Sequence, residues 1–283
     1  MKGILLTSLF AMMAVGARAQ ERAPDATWGD GPAQVRIATG SPGELGMLEA
    51  LSRDFAATHG AKVLWFKAGS GAAMALLKDR KVDMALAHAP AAERKAVAEG
   101  WAQGRSIFGA NEFWIVGPAA DPAGIKGLDG PAAFRRLAQA KARFVSRGDN
   151  SGTHQKEMEL WRAAGETPDP AQLIVTKDFM TASLKRAEAE RAYFLTDSST
   201  FIAERANTPG LVKLVAGGEA LFNPYHTLLL VEPTPGAQTA KAFAQHLLSD
   251  KAQATLRDYG KAKFGEAMYF DANAARQRWP ADK

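Results

Sequence analysis

Residues 144–154 read FVSRGDNSGTH, an apolar pair followed by small and polar side chains. Two chemistries fit these residue types. Ser151 and His154 stand three apart, which places them on one side of a helix, as a nucleophile and its base would need. Alternatively, Arg147, Ser151 and Thr153 supply a fixed cation and hydroxyl donors for a bound anion. Asp149, two residues from Arg147, either orients the guanidinium or accepts a proton from the ligand; the plainest alternative is a local surface ion pair. The nucleophile is the poorer reading. No G-x-S-x-G elbow surrounds Ser151, and His154 has no evident orienting carboxylate beyond Asp149 or Glu157. A metal centre is not indicated either, because the chain has no cysteine and its five histidines, at 59, 88, 154, 226 and 246, form no H-x-x-x-H pair.

The same grammar recurs. Four times an apolar run ends in a small polar loop that opens a helical pattern: RIATGSPGELG, WFKAGSGAAMALL, FVSRGDNSGTHQKE and FLTDSSTFIAE. Each carries a hydroxyl at or near the helix start, at Ser41, Ser70, Ser151 and Ser198 or Ser199. Ordinary capping explains any one of them, since Ser and Thr satisfy an otherwise unpaired N–H. Convergence of several would make an anion site, because a helix start offers free N–H donors and partial positive charge. Three such ends supply about 5 kcal/mol at best, against about 12 for nanomolar affinity. Arg147, able to make two parallel charge-assisted bonds to an oxyanion, each about 1.5 to 3 kcal/mol, would supply much of the difference.

These loops need elements to aim them. From about residue 33, QVRIAT, KVLWF and DMALA read as strands, with MLEALSRDFAATHG and AAERKAVAEGWA as helices between and after them. After EFWIVGP and a Gly/Pro-rich stretch come a helix near 131–140, the strand RFVS and the helix GTHQKEMELWRAAG. ASLKRAEAERA reads as a helix; YFLT, LVKLVAG and YHTLLLVEP read as strands; TAKAFAQHLLSDKAQATLRDYG forms one or two closing helices. Alternating β and α segments predict an α/β fold with largely parallel sheets, in two units with a cleft between them. Ligands in such folds sit beyond the carboxyl ends of the strands, where the four loops lie. His88, at the end of DMALAH, falls beside that cleft and reads as a loop hydrogen-bonder.

The start of the chain and its charge bear on location and partners. MKGILLTSLFAMMAVGARAQ has one Lys, an apolar run from Gly3 to Gly16 and Ala17-Arg18-Ala19, which predicts a signal peptide over 1–19. The run is too short for a membrane span of about 20 residues. Without the leader the 35 basic residues fall to 33 against 30 acidic ones, too small and dispersed an excess for nucleic acid.

The segments DMALAHAPAAERKAVAEGW, IVGPAADPAGIKG, FVSRGDNSGTHQKEMELWRAAG and LFNPYH resemble the periplasmic tungstate-binding proteins of ABC transporters, within the type II periplasmic binding protein superfamily. The likeness runs from about residue 35 to about 235. It implies a tetrahedral oxyanion, tungstate or molybdate, held between two lobes by Thr39, Ser41, Ser70, Gly71, Arg147, Ser151, Gly152 and Thr153, with Asp149 and His88 behind them. Arg147 to Thr153 also match the Arg-x-Asp-x-Ser-Gly-Thr pattern of phosphate binders in the wider superfamily. Two segments depart from the family. Its first loop usually reads Thr-Thr-Thr-Ser-Thr, here Ala38 to Pro42; and Phe179, Met180 and Thr181 replace Gly-Met-Gly.

The expectation is therefore a two-lobed type II periplasmic binding protein, each lobe a mainly parallel sheet flanked by helices. Lobe 1 spans 33–113 plus 225–283 and lobe 2 spans 114–224, hinged near EFWIVGP and LFNPYHT. It would be a monomer without cofactor, catalysing nothing, that delivers its anion to a permease and ATPase. A phosphate binder of the same superfamily and an exported serine hydrolase using Ser151 are the alternatives. A sensor or scavenger working without a transporter would share the same site.

Overall fold

The computed structural model describes residues 22–279; the leader expected over 1–19 lies outside the described residues. After β1 (Ala26–Trp28), the chain alternates through β2 (Ala33–Thr39), α1 (Ser41–Glu44), α2 (Met47–His59), β3 (Ala61–Lys67), α3 (Ser70–Lys78), β4 (Met84–Ala87) and α4 (Pro90–Ala98). It then runs through a 17-residue strand, β5 (Ala102–Pro118). A second series follows: α5 (Gly130–Gln139), β6 (Phe144–Ser146), α6 (Gly152–Ala164), β7 (Leu173–Val175), α7 (Met180–Glu190), β8 (Tyr193–Asp197), α8 (Ser198–Glu204) and β9 (Leu211–Val215). The chain returns through β10 (Phe222–Leu230) to α9 (Ala237–Leu247), α10 (Asp250–Asp258), α11 (Lys261–Phe264), β11 (Phe270–Asp271) and α12 (Ala272–Arg278).

Local sequence explains the elements. In α2 the buried Met47, Leu48, Leu51, Phe55 and Ala56 recur on one face, the stripe a helix must bury. Gly60, at φ 58°, closes it in the left-handed region and donates its N–H to the Ala56 carbonyl. β4 is apolar and wholly buried, and β2 becomes buried from Ile37 onward after an exposed start, as central parallel strands covered on both faces must be.

Each half of the sheet has a parallel core of three strands: β3-β2-β4 in the first, β7-β6-β8 in the second. Antiparallel strands flank these cores. β1 lines β3, and β10 pairs with β4 on one side and β5 on the other. β5 belongs to both halves. Its residues 102–112 pair with β10, while 113–118 pair with β8 and β9. One hydrophobic cluster continues across the junction, from Val35, Phe55 and Phe243 to Met180, Phe194 and Phe201. A second cluster, around the mutually packed Phe134, Phe144 and Trp161, fills the second half.

The structure lengthens two strands. β5 begins ten residues before EFWIVGP; Gly104, Gly109 and interspersed polar residues hide that stretch from a pattern reading, and pairing with β10 and β11 makes it a strand. β10 starts at Phe222 rather than Tyr225 and ends at Leu230. The closing helical pattern divides in two, because Ser249 caps α10 by accepting from the Ala252 N–H.

Candidate functional site

The four loops leave the carboxyl ends of β2, β3, β6 and β8 and meet. A methyl group placed on Gly69 would lie 2.9 Å from Ser151 Cβ and 3.9 Å from Arg147 Nη2; one on Gly71 would lie 2.5 Å from the Asn150 carbonyl oxygen. The second and third loops are therefore in backbone contact, one from each half of the sheet. The first loop touches the second, a methyl on Gly40 lying 3.3 Å from the Ala68 carbonyl oxygen. It reaches the fourth through Ser41 Oγ, which donates to Asp197 Oδ2 at 3.3 Å.

Arg147 lies at the centre and is only 4% exposed. Its Nε donates to the Asp178 carbonyl at 3.0 Å and its Nη2 to Asp149 Oδ2 at 2.5 Å. Nη1 has no hydrogen-bond partner among the described residues. Asp149 is fixed in turn, its Oδ1 accepting from the Ser151 N–H at 3.1 Å. Burial pushes the Asp149 carboxyl upward, but the Arg147 charge and the bonds from Ser151 and Arg147 outweigh it and hold the group below the usual carboxylate range. Asp149 is thus ionised and orients the guanidinium.

The donors divide into committed and open. Ser151 caps α6 by accepting from the His154 N–H at 3.3 Å, and Ser70 Oγ accepts from the His88 N–H at 3.1 Å. Both hydroxyls keep their own protons to donate. Thr39 is buried, and its Oγ1 has no hydrogen-bond partner among the described residues; its carbonyl accepts from Trp65 Nε1 at 2.9 Å. Thr153 Oγ1 makes a weak 3.5 Å contact to Met180 Sδ. In α3 the cap position is Gly69, with Ser70 inside the first turn, so no side chain covers the N–H groups of Ser70 and Gly71. The N–H groups of Gly152 and Thr153 likewise start a helix. Ser41, inside a helix of four residues followed by Pro42, gives its proton to Asp197.

The fourth loop differs from its sequence reading. Asp197, not Ser198 or Ser199, caps α8: its carboxylate accepts from the Thr200 N–H at 2.8 Å, from Thr200 Oγ1 at 2.9 Å and from Ser199 Oγ. Asp197 directly precedes α8 and is a favoured cap residue; its tie to Ser41 joins residues distant in sequence.

Behind the loops runs a buried polar chain. His88 Nδ1 lies 3.0 Å from Asn223 Oδ1, Asn223 Nδ2 donates to Asn111 Oδ1 at 2.6 Å, and Asn111 Nδ2 donates to Ser199 Oγ at 3.0 Å. With Ser199 bound to Asp197, every donor in this chain points toward that carboxylate. Burial pulls the His88 pKa below its ordinary value despite Asn223 and the nearby Asp197 and Glu93, so the ring is neutral with its proton on Nδ1. Sequence reasoning placed His88 as a loop hydrogen-bonder; Asn111 and Asn223 escaped it because neither has a local partner. Glu93 secures the adjoining turn. It accepts from the Ala89 N–H at 2.7 Å, Arg105 Nε at 3.0 Å and His226 Nδ1 at 2.9 Å.

His154 is turned away from catalysis. Its Nδ1 accepts from the Asn150 N–H at 3.0 Å, a bond that fixes Asn150 in the left-handed region at φ 56°. An open groove of about 590 Å³ adjoins the site, lined by His88, Gly152, Asn223 and residues of α4 and α6. Arg147, Thr39 and Ser70 do not line it, whereas Gly152 at the start of α6 does. Among the described residues no cluster of His, Cys, Asp or Glu could hold a metal ion, and no helix is long and apolar enough to cross a membrane.

Two α/β half-sheets joined by β5, with a desolvated arginine among helix starts contributed by both, define a solute-binding protein of the type II periplasmic class. The chain belongs to the PBP superfamily, whose domain matches residues 25–251. It is 35% identical over 249 residues to the tungstate-binding protein TupA of Peptoclostridium acidaminophilum, covering 86% of each chain. Among solved structures, the tungstate-binding protein TupA of Desulfovibrio alaskensis G20 superposes with a TM-score of 0.72 at 33% identity, over 84% of this chain and 98% of that one. The tungstate ABC transporter protein of Geobacter sulfurreducens does so with the same TM-score and identity, over 81% and 100%.

Proposed function

We propose that the protein is the solute-binding component of an ABC transporter and captures a tetrahedral oxyanion, tungstate with molybdate as its nearest analogue, where the four loops meet. The observation that carries this is Arg147. It is buried, held by Asp149 and the Asp178 carbonyl, and left with Nη1 for a ligand, beside the open donors of Thr39, Ser70, Gly71, Ser151, Gly152 and Thr153. Lobe 1 is residues 33–113 plus 225–283 and lobe 2 residues 114–224, and β5 and β10 act as the hinge. Binding stabilises the closed arrangement because contacts come from both lobes. The protein acts as an exported monomer in the periplasm, its leader over residues 1–19 removed. It needs no cofactor, and the permease and ATPase take the anion onward.

No bond is made or broken. With His154 Nδ1 occupied by the Asn150 N–H and Ser151 Oγ capping a helix, neither residue is arranged as a base and its nucleophile. The phosphate reading turns on Asp149. Its two oxygens accept from Arg147 and from the Ser151 N–H, and each keeps a lone pair that could take the proton of monohydrogen phosphate. A fully deprotonated oxyanion needs no such acceptor and relies on Arg147 to offset the Asp149 charge.

Calorimetric titration with tungstate, molybdate, sulfate and phosphate tests the choice. Submicromolar binding of the first two without a phosphate response is expected; a response to phosphate alone would transfer the site to the phosphate binders.

A further inference from the structure

Phe179 immediately precedes α7 in the second half of the sheet, and its ring meets two cations. Lys67 Nζ, at the end of β3 in the first half, lies 3.9 Å from the ring centre, and Arg147 Cζ lies 5.6 Å from it. Each cation has its own carboxylate: Lys67 Nζ is 2.6 Å from Glu44 Oε1 in α1, and Arg147 is bound to Asp149. The ring is thus shared by two neutralised pairs, one from each half of the sheet, rather than set in a repelling cluster. Its place is fixed through the backbone, because Arg147 Nε donates to the carbonyl of Asp178, the preceding residue, and the Phe179 N–H is held by Asp178 Oδ1 at 2.7 Å.

We infer that Phe179 is a positioning residue of the anion site: its ring braces Arg147, ties Lys67 across the gap between the halves, and so slows release of the bound anion. This rests on the oxyanion-capture reading above. A cation over an aromatic face is attracted by the ring's negative quadrupole, more strongly when water is excluded. The Arg147 contact lies within the second half and sets the direction of the guanidinium. The Lys67 contact forms only when the halves are together. Its loss should therefore shorten the life of the closed complex and leave the encounter of anion with the open site nearly unchanged.

The test follows tungstate association and release in the full mature chain by its tryptophan fluorescence, Trp65 being hydrogen-bonded to the first loop. Phe179→Leu should raise the release rate at least about fivefold with association within about twofold. Phe179→Tyr, which keeps the ring, should restore slow release, a result that mere filling of space by Leu would not distinguish. Lys67→Met should speed release by about threefold in the wild-type background and by nothing further beside Phe179→Leu. Should Phe179→Leu fail to fold, Lys67→Met, at a residue whose side chain is 28% exposed, carries the test alone. Release at the wild-type rate in Phe179→Leu and Lys67→Met, or additive effects in the pair, would overturn the inference while leaving anion capture intact. Failure of the wild-type protein to bind any of the four oxyanions would overturn the capture reading and this inference together.

Discussion

At the scale of single residues, the site depends on how charge is kept in a dry place. Arg147 is tolerated because Asp149 and the Asp178 carbonyl satisfy it, and Asp149 is tolerated because Arg147 and the Ser151 N–H satisfy it. Beneath them sits a carboxyl under the opposite regime. Glu157 Oε2 lies 2.8 Å from Ser146 Oγ, and burial, with the Asp149 charge adding, pushes its pKa up from 4.5 to about 8. The folded chain therefore binds this proton more tightly than the unfolded chain. Its contribution to stability falls as pH rises from about 4.5 and levels off above about 8, with a limiting slope of about 1.4 kcal/mol per pH unit. Glu157→Gln, which keeps the shape without the ionisation, should flatten that decline. Denaturant midpoints for both proteins from pH 5 to 8.5 check this; parallel curves would show that Glu157 ionises normally.

At the scale of elements, much was legible because each half repeats one unit, a strand ending in a small polar loop that starts a helix. The apolar periods located β2, β3, β4, α2 and α6, and the RGDNSGT string singled out Arg147, Asp149 and Ser151, though whether Asp149 orients Arg147 or takes a ligand proton stayed open in the sequence. What stayed hidden depends on partners distant in sequence. The first ten residues of β5 are strand only because β10 and β11 pair with them, and Asn111 meets Asn223 across more than a hundred residues. Glu93 has the same character. Burial pushes its carboxyl up, yet the His226 bond and charge and the Arg105 charge outweigh this and keep it below the usual range. Glu93→Ala leaves Arg105 and His226 buried beside an empty space, at a cost of about 3 to 5 kcal/mol. A fall in melting temperature of about 10 °C is expected; a fall under about 2 °C by calorimetry would show that the triad is not mutually dependent.

At the scale of the whole molecule, two parallel strand cores share one long strand, β5, and one hydrophobic cluster continues from the first half into the second. Where the second and third loops meet, the contact is built on glycine. A Cβ at Gly71 would lie 2.5 Å from a backbone oxygen and 2.8 Å from Asn150 Nδ2, contacts that the backbone cannot absorb without moving. Gly71→Ala should leave melting within a few degrees of wild type and weaken tungstate binding by at least about tenfold, with small-angle scattering showing a more open ligand-bound molecule. Unchanged affinity would show that closure does not require this contact.

The central claim is that Arg147 holds an oxyanion between the two halves. Side-by-side calorimetric titration of tungstate into wild-type protein and Arg147→Ala tests it most directly, since the variant loses two charge-assisted bonds worth about 1.5 to 3 kcal/mol each. The account predicts submicromolar binding to the wild type and a loss of at least about a hundredfold in the variant, with its circular dichroism unchanged. Equal affinity of the two proteins would contradict it.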